Sequence, residues 1–433
     1  MTTEENKKTA THILSRDEQF VIRPWSGSGE PVPVVDAKGC NITDAHGKTF
    51  LDLTSGYFVN QAGHCHPKVI AATVEQLNKV VQVSGRHTTA SVVDLAEKLV
   101  EISPDSVHKV FFATGGSEAV EFALKMVRQK TGKSDFASLE NGFHGLTLGV
   151  LGACGSEKYR KTAGIDLPEQ FTRLPSPYPY RCACDGDECT ARCLDGVEEI
   201  LAANPNIGAI LAEPAQAAGG LIPSKAWWKR LDEIRKKLGL YLILDEIQTG
   251  IGRTGTWFAA EHYDLQPDII TVGKGVSGGV GSLAVVLASN ELSCGFYAGT
   301  TPTNGGNAVS CAAGLALINV LEEEKLVENA RAMGEYFTSA VRKLKDSWIG
   351  DVRFFGLLGG VELVSDIENK SPLAKGIVGA IKDHLYQAGM LITVSGPHGN
   401  VLRLQPPLSV TAEELDRFIV CLKAALSEIR AAQ

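Results

Sequence analysis

Two stretches, Tyr241-Leu-Ile-Leu-Asp-Glu-Ile-Gln-Thr-Gly250 and Pro267-Asp-Ile-Ile-Thr-Val-Gly-Lys-Gly275, share one design. Each is a short apolar run ending on a residue that carries charge: Asp245 in the first, and Lys274, between two glycines, in the second. The unbroken apolar character of residues 241–244 fits a strand covered on both faces, since a half-exposed strand would alternate. The pattern recurs on either side. Residues 109–113, 208–212, 268–272 and 283–288 read as strands, and 118–130, 225–238 and 307–323 as helices. Strands separated by helical spacers predict an α/β fold with a parallel, doubly wound sheet. In open sheets of that kind ligands gather at the carboxyl ends of the strands, where Asp245 and Lys274 fall.

The chain ends read differently. Residues 31–53 carry strand-like runs around a turn at 44–47. Residues 352–364 and 401–404 read as strands, and 375–387 and 411–429 as helices. This organisation predicts a large domain at 65–325 and a small domain that joins the N-terminal segment 1–64 to the C-terminal part 326–433.

Composition bounds the function class. The 433 residues carry 42 basic and 50 acidic side chains, a formal charge of −8, with 44% apolar and 21% charged residues. These are globular values that exclude a disordered or collagen-like chain. The acidic balance argues against nucleic acid as the main partner. No stretch approaches the roughly 18 apolar residues of a membrane span. The polar start, with no basic cluster followed by an apolar run, does not read as a secretory signal. A cytoplasmic protein with reduced thiols is therefore expected.

Lys274 and Asp245 carry the chemistry. A lysine partly desolvated at a sheet edge loses affinity for its proton and becomes nucleophilic towards a carbonyl. A buried carboxylate needs a cationic partner; a protonated pyridine nitrogen is one, and the pairing keeps a pyridoxal ring electron-withdrawing. Gln248, two residues beyond the Asp245-Glu pair, is placed to donate to a phenolic oxygen. Phe112-Ala-Thr-Gly-Gly-Ser-Glu-Ala119 runs straight into a helix, so Gly115, Gly116 and Ser117 offer backbone N–H groups to an anion such as a phosphate. Phe143, in Phe143-His-Gly145, supplies an aromatic ring able to stack on a planar cofactor.

Together these pieces resemble the class III (ω-type) aminotransferases of the fold-type I pyridoxal-phosphate superfamily. The resemblance is carried, in chain order, by Gly63-His-Cys-His-Pro67, Thr114-Gly-Gly-Ser-Glu-Ala119, Phe143-His-Gly145, Glu213-Pro214, Leu244-Asp-Glu-Ile-Gln-Thr-Gly250, Gly252-Arg-Thr-Gly255, Gly273-Lys-Gly275, Thr303-Asn-Gly-Gly-Asn-Ala308 and Arg403-Leu-Gln-Pro-Pro-Leu408. It implies a large domain with a mostly parallel seven-stranded sheet, a small α+β domain from both chain ends, and pyridoxal 5'-phosphate as cofactor. By position, it implies that Lys274 forms the internal aldimine and shuttles the Cα proton, and that Asp245 pairs with the ring nitrogen. Phe143 and His144 belong to the cofactor site, and Gly115, Gly116 and Ser117 bind the phosphate. Thr303 reaches that phosphate from the partner subunit of a homodimer, a dimer of dimers being the alternative. Arg403 clamps the substrate carboxylate, and Trp25 and Tyr57 border the substrate. The activity implied is transamination between an amino acid or amine donor and an α-keto acid acceptor, pyruvate or 2-oxoglutarate.

Departures from the family pattern narrow this reading. Members acting on γ-amino acids carry Glu-Pro-x-Gln-x-Glu-Gly-Gly, whose second glutamate neutralises the arginine when the amine lacks an α-carboxylate. Here the stretch is Glu213-Pro-Ala-Gln-Ala-Ala-Gly-Gly220, with Ala218 at the gate. Arg403 is thus expected to stay available in both half-reactions. Related racemases and epimerases place an acidic second base there, which Ala218 cannot replace, although residues 350–363 resemble those enzymes. The decarboxylating transaminase for dialkylglycine is also similar, but carries a glutamine after Thr-Ser-Gly where this chain has Tyr57.

Three other motifs compete. Gly250-x-Gly252-x-x-Gly255 matches the dinucleotide fingerprint, yet lacks the acidic residue about twenty positions on and runs into Trp257-Phe258 where a helix should open. Gly132-Lys133-Ser134 lacks the leading glycine of a phosphate-binding loop. Cys182, Cys184, Cys189 and Cys193, four of the ten cysteines, fall within twelve residues. Free thiols, a zinc or iron–sulfur staple and a disulfide are the three readings of that cluster; no metal is assigned.

Overall fold

A computed structural model describes residues 3–23, 31–182, 192–299 and 301–433. Trp25, Cys184 and Cys189 lie outside the described residues. The strands are β1 (Val34–Lys38), β2 (Asn41–Asp44), β3 (Thr49–Asp52), β4 (Lys109–Ala113), β5 (Asp135–Leu139), β6 (Phe171–Leu174), β7 (Ile207–Ala212), β8 (Tyr241–Asp245), β9 (Ile269–Val272), β10 (Ala284–Ala288), β11 (Ile349–Phe355), β12 (Leu358–Asp366), β13 (Ser371–Pro372), β14 (Met390–Leu391), β15 (Thr393–Ser395) and β16 (Val401–Leu404).

The central sheet has seven strands in the order β4-β10-β9-β8-β7-β5-β6. Pairs from β6 across to β9 are parallel, whereas β10 runs antiparallel to both β4 and β9. The expected mostly parallel, doubly wound sheet is what the chain forms. Its central strands β7, β9 and β10 are buried at every position, which is why they read as unbroken apolar runs rather than alternating ones. Helices Gly116–Thr131 and Lys225–Lys237 begin and end within two residues of the sequence reading.

The chain ends meet across a second sheet. Strands β1, β2 and β3 form an antiparallel meander, and β14 adds to β3 in parallel, pairing Met390 with Leu51. A third sheet runs β11-β12-β16-β15. The single strand read over 352–364 is in fact a hairpin, with Phe355 opposite Leu358 and a turn at Gly356. The turn escapes a sequence reading because it is flanked by apolar residues; Gly356 makes it with φ +53°, in the left-handed region.

Backbone packing at this hairpin is tight. A Cβ built on Gly334, in helix Leu326–Arg342, would lie 1.9 Å from the Gly356 carbonyl oxygen. Gly379, in helix Lys375–Gln387, has nothing within 4 Å of that position. Gly334→Ala should therefore cost on the order of 1–3 kcal/mol through forced displacement, and Gly379→Ala should stabilise by about 0.5–1 kcal/mol through lower backbone entropy in the unfolded chain. Urea unfolding midpoints of the two variants should move in opposite directions.

Candidate active site

Three strand ends build the site. Asp245 closes β8 and is 4% exposed. Oδ2 of Asp245 lies 2.8 Å from Nδ1 of His144, and Oδ1 accepts from the Ile247 amide at 3.2 Å. His144 is itself buried, so its ring backs the carboxylate and fixes its orientation. Glu246, the next residue, is fully buried and points away. It accepts from the Thr249 hydroxyl at 2.7 Å and from the amides of Ala259 and Ala260 at 2.9 and 2.8 Å. Burial nevertheless raises its pKa to about 7. The two adjacent acids thus do different work: Asp245 faces the crevice and Glu246 holds the loop behind it.

Lys274 follows β9 with φ +43°, a left-handed conformation unusual for a residue with a side chain. Its flanking Gly275 is required by crowding: a Cβ there would lie 2.5 Å from Cγ of Gln61. Lys274 has no hydrogen bond or ion pair among the described residues. Burial lowers its pKa to about 8, Asp245 pulling it back up and Arg403 pushing it further down. The amine is thus half neutral near pH 8, and a far larger share of it than of an ordinary lysine is in the neutral state that a nucleophile needs.

Arg403 lies on β16. Its guanidinium stacks over Phe58 with 4.1 Å to the ring centroid. With its carboxamide oxygen turned towards the arginine, Gln405 accepts from Nε at 3.2 Å and Nη2 at 3.3 Å. In that orientation the same oxygen also accepts from Gln248 Nε2 at 3.0 Å. Burial lowers the Arg403 pKa to about 10. No carboxylate pairs with it among the described residues, which leaves its fork open to an external anion.

Phe58 owes its place to an unusual turn. Ser55, Gly56, Tyr57 and Phe58 have φ of 46°, 61°, 70° and 75°, one turn of left-handed helix. Three of the four are not glycine, at a cost of about 1–3 kcal/mol each. Asp52 holds the turn: Oδ1 accepts from the Thr54 amide at 2.8 Å and its hydroxyl at 2.6 Å, and Oδ2 from the Gly56 amide at 2.7 Å. His64 Nε2 sits 2.8 Å from the same Oδ2. Tyr57 projects outward at 61% exposure.

The remaining expected residues fall around this centre. Gly115 caps helix Gly116–Thr131, whose first amides have no intrahelical acceptor. The Ser117 hydroxyl accepts from the Leu146 amide at 3.2 Å. Gly145, φ +134°, brings the 143–146 loop so close that a Cβ would lie 2.3 Å from that hydroxyl. The Phe143 ring meets Tyr159 edge-on at 5.0 Å. The Phe143 amide donates to Glu213 Oε1 at 2.9 Å, and the Ala217 amide to Oε2 at 3.0 Å, so one buried acid ties this loop to the Ala218 loop. Thr303 is exposed on its own chain. Cys182 and Cys193 form no disulfide, and their thiols meet in a hydrogen bond. Among the described residues no group of three or more His, Cys, Asp or Glu side chains is arranged to hold a metal.

Residue-type reasoning missed Gln405 and Glu213 as contributors, whereas Phe58, with Tyr57, Trp25 and Phe143, reads from the sequence as one of the aromatics of a pocket lining. Gln405 was findable, since residues two apart on a strand share a face and Arg403 was already singled out. The donor set fits pyridoxal phosphate: a neutral-leaning amine for an aldehyde, a buried carboxylate for a protonated ring nitrogen, and free helix-start amides beside a hydroxyl for a phosphate.

The Lys274 pKa gives two expectations in cofactor-free protein. Labelling of Lys274 by a small aldehyde under reducing conditions should rise with a midpoint near pH 8, against about 10.4 for an ordinary lysine. The folded chain also releases this proton earlier than the unfolded chain. Native stability should thus gain as pH rises from about 8 towards 10.4, and Lys274→Ala should lose that gain in chemical denaturation.

The comparisons agree with this geometry. The family model described as aminotransferase class-III matches residues 25–426. The chain is 35% identical over 421 residues to the acetylornithine aminotransferase of Methanothermobacter thermautotrophicus, covering 96% of this chain and 99% of that one. It is 32% identical to the alanine/serine racemase of Pyrococcus horikoshii, covering 92% and 86%. Among solved structures it superposes on an (S)-enantioselective omega-transaminase from Thermomicrobium roseum with a TM-score of 0.90, 29% identity and coverage of 97% and 98%. This chain belongs to the class III aminotransferases and is a pyridoxal-phosphate-dependent transaminase.

Proposed function

We propose that the enzyme moves an amino group between an amino acid or amine donor and an α-keto acid, pyruvate or 2-oxoglutarate, with Lys274, Asp245 and Arg403 in the leading roles. One observation carries this reading. Arg403 is a half-buried cation with no carboxylate partner among the described residues, oriented by Phe58 and Gln405, and close enough to lower the Lys274 pKa. A site built that way asks for a carboxylate beside the reacting carbon. Ala218, on the loop tied down by Glu213, offers no acid to compete for the arginine.

Bound pyridoxal phosphate supplies an electron sink for the bonds around the donor's Cα. Lys274 would hold the cofactor through its aldehyde carbon, and its Nζ, within the site, would be the group that carries the Cα proton. Asp245, braced by His144, keeps the ring nitrogen protonated. The Gly115, Gly116 and Ser117 amides would hold the phosphate, Phe143 would stack on the ring, and Gln248 would donate to the phenolic oxygen. Tyr57 and Trp25 border the donor side chain.

In this reading the enzyme works as a homodimer in which Thr303 completes the phosphate site of the other protomer. The exposed apolar row Ile70, Val74, Leu77 and Val81 supports a second copy as its cover. The cytoplasm is the proposed location. No helix among the described residues is long and apolar enough to cross a membrane. The free thiols suit a reducing compartment.

Lys274→Ala should abolish turnover and remove the visible band of the cofactor–lysine linkage. Arg403→Leu should keep that band yet raise KM for pyruvate and 2-oxoglutarate about ten- to a hundredfold, the worth of a charge-assisted pair. A donor panel of alanine, N-acetylornithine and an arylalkyl amine, with both keto acids, tests the reading itself. Amine transfer to a keto acid is expected. Loss of α-deuterium with the amine retained, or CO₂ release from an α,α-dialkyl amino acid as the main reaction, would replace it by racemisation or decarboxylation.

A further inference from the structure

A cavity of about 950 Å³ opens between helix Leu326–Arg342, the segment that follows it, and the β11 end of the hairpin. Its charge is one-sided. Arg331, Arg342, Lys343 and Lys345 line it, with His262 on the opposite wall, against the single carboxylate of Glu335. Arg331, Glu335, Thr338 and Arg342 are spaced four, three and four residues apart, so they form one stripe down one helix face.

The cations are not spent within the chain. None of the four forms an ion pair among the described residues, although Glu261 acts on Arg331 through space. Arg331 donates Nη2 to the Gly255 carbonyl at 2.7 Å, and Arg342 donates Nη2 to the Val352 carbonyl at 2.8 Å. Each guanidinium is thereby anchored by one bond, while its other N–H groups stay available. Elsewhere on the surface, basic side chains commonly sit in pairs, such as Arg430 with Asp346, Arg230 with Asp195, and Lys237 with Glu198. Basic residues also offset the dipole at a helix C-terminus. That accounts for Arg342 and Lys343, but not for Arg331, three turns upstream, nor for Lys345 beyond the helix.

The floor of the cavity is rigid. Gly255 packs on Arg331 so closely that a Cβ would lie 2.8 Å from the arginine's Cβ, and Gly356 packs on Thr254 with 2.4 Å to its carbonyl carbon by the same measure. The Phe355 and His262 rings meet at 4.0 Å, tilted by 41°, and line the wall beside the cations. The two anchored arginines on this floor bind an anion with less ordering cost than free side chains would.

We infer that this cavity is a binding site for a small polyanion, a molecule bearing several phosphate or carboxylate groups, separate from the Lys274 site. Arginine forks and the Thr338 and Ser339 hydroxyls suit the oxygens of either group.

Titration calorimetry on the pyridoxal-phosphate-loaded enzyme, at fixed ionic strength, tests this with tripolyphosphate in one arm and citrate in the other. Saturable binding of at least one is expected, and the stronger arm identifies the anion class. The combined variant Arg342→Gln, Lys343→Gln and Lys345→Gln should bind at least tenfold more weakly while keeping the visible spectrum of the loaded enzyme. A control variant, Arg417→Gln with Lys423→Gln on the exposed face of the C-terminal helix, should bind as the parent does. The inference is overturned if neither polyanion binds, if the triple variant binds undiminished, or if the control weakens equally.

Discussion

The arrangement depends on a carboxylate that cannot be left alone. Asp245 ends a central strand out of contact with water, and a buried charge without a partner costs several kcal/mol. Within the chain it has the His144 imidazole at 2.8 Å and the field of Lys274. The lysine is not a fixed cation, since burial drives it towards its neutral form. In the proposed reading, a planar ring with a protonated nitrogen would satisfy the acid without charging the lysine, so the acid would select the cofactor and leave the lysine free to react with it.

The same economy governs the substrate side. Arg403 is half-buried, carries no carboxylate partner among the described residues, and leans on a ring and a carboxamide. Holding the ring in place requires a left-handed turn that the backbone resists, and Asp52 sustains that turn with three hydrogen bonds and a histidine. Arg253 binds the same region from behind. It donates to the Pro406 carbonyl, the Ser55 hydroxyl and the Gln61 carboxamide, and so joins the turn, the Lys274 flank and the end of β16. The strain sits beside the reacting groups and is sustained by bonds outside them, as expected of a preorganised site.

Much of this was legible from the sequence because the signals are local. Asp245 and Lys274 each end an apolar run, and the glycines at 115 and 116 precede a helix, so strand ends and loop chemistry coincide. What escaped depends on distant partners. The Asp245–His144 contact spans 101 residues, and nothing near either residue announces it. The turn at 55–58 contains one glycine but four left-handed residues, imposed by Asp52 rather than by local preference. The hairpin at Gly356 was read as one strand because apolar residues flank a turn that polar ones usually mark. Trp25 and two of the four clustered cysteines lie outside the described residues, and their roles rest on sequence alone.

The account stands or falls on which lysine holds the cofactor. Reduction of the purified, cofactor-loaded enzyme with borohydride, followed by proteolysis and peptide mass spectrometry, reads this directly. The account predicts the pyridoxyl phosphate mass on the peptide containing Lys274 and on no other. The same mass on a different lysine, or a loaded enzyme that yields no labelled peptide after reduction, would contradict it.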